Sequence, residues 1–187
     1  MEFVKRLIRR LGAILLRPHT EWRVIAAEKS EPSVLFIHYV AILALIPALA
    51  RCIGAALVGG YAPIGSSLAG ALVVYLSGFV TVYGLALIID ALAAMFGAQK
   101  DFAAALKLAV YSTTPVWVAG VFLLVPGLSF LVILGLHGIY LLWTGLPILM
   151  RAPPEKALAY AAAVGGCALV IAVGLGLSVA PLFRAPV

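Results

Sequence analysis

Residues 100–151 read KDFAAALKLAVYSTTPVWVAGVFLLVPGLSFLVILGLHGIYLLWTGLPILMR. Between Asp101 and Arg151 this stretch carries one charge, at Lys107. Val125-Pro126-Gly127 interrupts it with a turn signal. One crossing of a bilayer takes about 20 residues, so an apolar run of this length with one break reads as two membrane-spanning helices in a hairpin.

The rest of the chain agrees. Of its 187 residues, 65% are hydrophobic and 11% charged, and the mean hydropathy is +1.17. A soluble domain carries about 25% charged residues. The expected fold is an all-α membrane protein with five transmembrane helices in one bundle, at about residues 33–58, 68–96, 102–124, 128–150 and 156–183. Residues 1–32 form a basic segment before this 33–187 transmembrane domain. The net charge of +6 is concentrated at the start: seven of the thirteen basic residues lie in the first 29 positions. That is a positive-inside or anionic-lipid signal, and it argues against a nucleic-acid partner. With the N-terminus cytoplasmic, Lys100, Arg151 and Lys156 fall on the inner side and the two outer loops hold no charge. The C-terminus is then extracytoplasmic, with Arg184 beside it. The expected location is a bacterial inner membrane.

Residues 1–16 begin like a signal peptide, but the apolar run is short and Arg17-Pro18-His19 replaces a small-residue cleavage site. Helical phase places Phe3, Val4, Leu7, Ile8, Leu11, Ile14 and Leu15 on one face and Lys5, Arg6, Arg9 and Arg10 on the other. The expectation is an interfacial amphipathic helix whose basic face meets anionic phospholipids. The alternative is a helix docked on a partner or on the protein's own loops. A second short helix follows Pro18, with Trp22 expected at headgroup level. Three spans carry prolines: Pro47, Pro115 and Pro147. Ala168, Ala172, Gly176 and Ala180 give the fifth span a small-residue face suited to close packing, within the bundle or against a second copy.

Ionisable groups inside a bilayer need partners or a function. Counted from the inner ends of their spans, Asp90, Lys107 and His38 lie about 7–9 Å deep. They form a candidate polar cluster with Tyr111. Its bland reading is an Asp90–Lys107 pair that fixes the hairpin, or a Lys107 that snorkels. Its functional reading is a pocket open to the cytoplasm. Arg51, near the other end, is expected to snorkel outward. His137 reads as a hydrogen-bonded core histidine. Cys52 and Cys167 read as small apolar residues. Neither GxSxG, HExxH nor a Walker loop occurs. No cofactor, metal or catalytic residue is expected.

Arg17-Pro18 followed by Trp22, Ile25 and Glu28, then Tyr111-Ser112-Thr113-Thr114-Pro115-Val116-Trp117, then Tyr140 to Pro147 with Pro154-Glu155-Lys156-Ala157, resemble in order and spacing the bacterial membrane proteins of the Yip family. The likeness covers about residues 15–180 and singles out Pro18, Trp22, Tyr111, Pro115, Tyr140 and Pro147. It implies a five-span bundle with a cytoplasmic N-terminus. Eukaryotic members are linked to Rab GTPases, but their DLYGP-type motif is absent here, so that link does not transfer. Two functions follow as expectations. One is a non-enzymatic organising or adaptor protein that acts through helix packing and the basic N-terminus. The alternative is a small-solute or ion permease using His38, Asp90 and Lys107.

Overall fold

The computed structural model describes residues 2–28 and 32–179. Among them every regular element is helical. Helices α1 (Glu2–Leu16) and α2 (Pro18–Ala27) precede five apolar segments long enough to cross a bilayer: Phe36–Val58, Ile64–Phe96, Phe102–Leu124, Pro126–Leu149 and Pro154–Ser178. The chain is an all-α, multi-pass membrane protein with boundaries close to those expected. The second span starts at Ile64, four residues before the expected 68. Pro63 supplies an extended N-cap there, and the Ser66 hydroxyl donates to the Pro63 carbonyl oxygen at 2.9 Å, closing the first turn.

Two of the prolines break their spans a few residues upstream. Ala44 separates α3 (Pro32–Leu43) from α4 (Leu45–Ile53), and Thr113 separates α6 (Phe102–Ser112) from α7 (Thr114–Ala119). A proline ring cannot donate and crowds the preceding turn. At the second break the Thr113 hydroxyl shares its proton between the Ala109 and Val110 carbonyls, 3.0 Å from each, and accepts from Trp117 Nε1 at 3.2 Å. Pro147 stays within α8 (His137–Leu149). The third span ends in a 3-10 segment, Gly120–Leu124, and the fourth begins with another, Pro126–Leu136. The first span ends in a π turn, Gly54–Val58. None of these departures from α geometry is visible in the apolar pattern.

The third span is the axis of the bundle, 67% buried, and the fifth, α9 (Pro154–Val179), is its edge, 22% buried. Backbone approach is close where glycine faces a neighbouring span. A Cβ on Gly138 would sit 2.5 Å from the Ser112 carbonyl oxygen, and one on Gly120 would sit 2.6 Å from Pro47 Cβ. At one end of the bundle, the loops after the second and fourth spans meet, with Gln99 N–H donating to the Met150 carbonyl oxygen at 2.9 Å. Lys100, Arg151 and Lys156 lie in or beside these loops; among the described residues the opposite end carries no charged loop residue.

The small-residue face of α9 divides in two. Ala168 packs half-buried against the core, but Ala172 and Gly176 are exposed, and a Cβ on Gly176 would meet nothing within 4 Å. The expected close packing therefore holds at Ala168 and fails beyond it, where Val173 and Leu177 are also exposed. Ala180 and Arg184 lie outside the described residues.

Candidate functional site

Helix α1 places Leu7, Leu11, Ile14 and Leu15 against the main core, and Ile14 is fully buried. Most of its described apolar face is thus spent on the protein, as the docking alternative expected, while Ile8 stays exposed. Lys5 and Arg9 remain exposed, while the Arg6 side chain lies outside the described residues. Arg10 corrects the expected basic face. Its guanidinium turns inward, donates to the carboxylates of Glu21 and Glu28 on α2, and stands 5.8 Å above the Tyr111 ring. Burial alone lowers the Arg10 pKa; the Glu28 hydrogen bond leads the opposing effects that leave it raised.

Trp22 is the second correction. Expected among headgroups, it is fully buried between the third and fourth spans. Its Nε1 donates to Thr144 Oγ1 at 3.1 Å, and its ring meets Tyr111 edge-on at 6.2 Å. Gly145 makes the room: a Cβ there would lie 2.8 Å from the indole. At the end of α2, Lys107 Nζ donates to the Glu28 carbonyl oxygen at 2.8 Å. A cation thus closes the negative end of that helix.

Lys107 is therefore not partnered by Asp90 in the way the hairpin pair required. Asp90 Oδ1 is buried without a hydrogen bond, and among the described residues no ion pair joins the two. Asp90 instead neighbours Tyr160, whose hydroxyl donates to the Ile89 carbonyl oxygen. His38 is exposed, and Tyr111 belongs to the Trp22–Arg10 cluster, where Tyr39 also meets it edge-on at 5.0 Å. Neither of the two cavities described is lined by His38, Asp90 or Lys107. The four residues do not form one pocket.

Span length explains why these charges are tolerated. From Ile64 to Tyr83 is about 29 Å at 1.5 Å per residue, and from His38 to Val58 is about 30 Å. Allowing about 2.0 Å per residue in the 3-10 segments, Lys107 lies about 28 Å from Leu124, and Trp143 about 31 Å from Pro126. All four stand one hydrocarbon thickness, about 30 Å, from the uncharged end. Tyr83 and Trp143 are 47% and 41% exposed there, as aromatic residues are at a membrane boundary. Asp90 lies about 39 Å from the same end, beyond the hydrocarbon. Counted from the uncharged end instead of the charged end, these groups fall at or beyond the far hydrocarbon boundary, because the spans are longer than one hydrocarbon thickness.

A model of the Yip1 domain matches residues 12–175. The chain belongs to the Yip1 domain family. No curated protein and no solved structure matches it. The Yip1 match begins inside α1, so the end of that helix and all of α2 belong to the domain. The residues singled out by resemblance gather around that segment. Pro18 and Trp22 are buried in α2, Tyr111 receives Trp22, Tyr140 meets His19 at 6.4 Å, and Pro115 shares a small cavity with Leu15. Pro147 lies one turn beyond the Trp22 partner Thr144.

Sequence reasoning gave no site role to Glu21, Glu28, Thr144 and Gly145, although Glu28 and the Tyr140–Pro147 stretch stand within the motifs of the resemblance. Glu21 and Glu28 carried a further signal: acids seven residues apart, in α2 and at its C-cap, matched to a basic α1. Thr144 and Gly145 carried no physical one, being small residues in an apolar run. Among the described residues no group of histidine, cysteine and carboxylates could hold a metal ion.

Proposed function

We propose that this Yip1-domain chain is a non-enzymatic organising or adaptor protein, and that the α1–α2 hairpin is its working surface. The observation that carries this reading is the anchorage of the hairpin. Arg10, Trp22 and the Glu28 carbonyl tie it to the third and fourth spans, at the level of Tyr83 and Trp143. So held, Lys5, Arg9 and the exposed Ile8 form a fixed patch where headgroups begin. Its partners are anionic phospholipids together with another membrane protein or a second copy. The location that fits the charge asymmetry is a bacterial inner membrane, with the N-terminus cytoplasmic and the C-terminus extracytoplasmic.

A photoreactive amino acid at Ile8 tests the reading in living cells. The expected result is a discrete protein adduct that disappears in the Lys5→Glu, Arg9→Glu double variant. The melting temperature of the double variant, unchanged from that of the parent, checks that the bundle stays folded. Adducts to lipid alone, or adducts indifferent to the charge reversal, overturn it.

A further inference from the structure

Where α9 leaves the bundle, a cavity of about 870 Å³ opens between it and the second, third and fourth spans. It extends along α9 from Ala162 to Gly176, about 21 Å at 1.5 Å per residue. That exceeds the half-thickness of a hydrocarbon core, about 15 Å. The volume lies within the usual range for small-molecule sites, about 300–1,000 Å³.

The chemistry of the lining is divided. Most of it is apolar, and its hydroxyls are largely turned away. Ser77 donates to the Val73 carbonyl and Thr81 to the Ser77 carbonyl, both at 2.7 Å, while Thr113 bonds its own helix. A wall whose polar atoms are satisfied by their own backbones suits a hydrocarbon chain. Toward the uncharged end stands Arg51, the one charged side chain among the described lining residues. It is half-buried, with Nε enclosed, and its Cα lies about 10 Å below Val58. The Arg51 side chain, expected to snorkel outward, borders the cavity. From there a guanidinium reaches the headgroup boundary along its own stem.

We propose that this cavity binds one anionic phospholipid of the host bilayer, with an acyl chain along α9 and its phosphate at Arg51. An apolar channel with a cation at its headgroup end matches an anionic amphiphile and selects against a zwitterionic one. This site is distinct from the basic surface at the charged end, which lies on the opposite side of the hydrocarbon. Ser112 offers a test of the occupant. Its hydroxyl is buried in the same wall without a hydrogen bond. An acyl chain leaves that hydroxyl unbonded, whereas a polar solute would use it.

Native mass spectrometry of the full chain in mild detergent, titrated with phosphatidylglycerol or phosphatidylcholine of matched chains, tests the proposal. One phosphatidylglycerol should be retained preferentially. Arg51→Gln should weaken its retention about five- to tenfold, and Arg51→Lys should keep most of it. Gly166→Phe should weaken it too, because the ring enters the cavity from a position where a Cβ meets nothing. Ser112→Ala should leave it unchanged. Monodispersity and melting temperature identify any variant that fails to fold, and in that event Ala172→Phe replaces Gly166→Phe. Equal retention of the two lipids overturns the proposal, as does indifference to Arg51→Gln. A requirement for Ser112 assigns the cavity to a polar solute and also overturns it. So does a lipid-free dimer that Gly166→Phe dissociates, which assigns the cavity to a second copy.

Discussion

Gly145 is the residue on which the seat of the N-terminal hairpin depends. Its missing side chain is the space that Trp22 fills, and a Cβ there would meet Leu108 Cδ1 at 2.5 Å and the indole at 2.8 Å. Gly145→Ala should therefore destabilise the protein by about 1–3 kcal/mol, through overpacking of a site with no spare room. Gly84 is the control, since a Cβ there meets nothing within 4 Å. Gly84→Ala should be neutral or stabilise by up to about 1 kcal/mol, through the backbone entropy it removes. Thermal unfolding in one detergent measures both. Equal shifts for the two variants would show that Trp22 does not sit where the structure has it. Neither contrast is legible in the sequence: both glycines lie in apolar runs, and only the packed neighbours tell them apart.

At the scale of elements, the hairpin is closed by charge and attached by hydrogen bonds. Lys107→Met removes the donor to the Glu28 carbonyl and leaves α2 without its C-terminal cation. The expected loss is about 1.5–3 kcal/mol, the range for a hydrogen bond to a charged group. Asp90→Asn should do the opposite of what a structural pair demands. The carboxylate oxygen it alters already lacks a donor, so purified yield and melting temperature should hold or rise. A drop in stability matching that of Lys107→Met would restore the Asp90–Lys107 pair. The reason sequence reasoning joined these two is physical. A short loop links their spans, and depth was counted from helix ends that project past the bilayer. The amphipathic character of α1 was legible from its phase. What the apolar face touches was not, because acyl chains and a protein core offer the same chemistry to leucine and isoleucine.

For the whole molecule, five spans and their boundaries were readable because run length and loop charge are properties of the sequence itself. Helix type was not: Pro126–Leu136 is as apolar as an α-helical span, yet it adopts 3-10 geometry. Nor was the large cavity, which exists because α9 leans away beyond Ala168. The bilayer placement has its own check. Spin labels at exposed Tyr83 and Trp143 should report the headgroup boundary, and one at Asp90 the water beyond it; a label at Asp90 found in hydrocarbon would shift the placement. Underlying all of this is the claim that the N-terminal hairpin stands upright against the third and fourth spans and does not lie flat on the membrane surface. Leu15 and Phe122 line the same small cavity, though 107 positions separate them in sequence. In a chain carrying Cys52→Ala and Cys167→Ala, cysteines placed at Leu15 and Phe122 should be joined in native membranes by a short bifunctional thiol reagent, while a Lys5–Phe122 cysteine pair should not. Failure of the Leu15–Phe122 pair to crosslink, with both thiols intact and the protein folded, would contradict the docked hairpin.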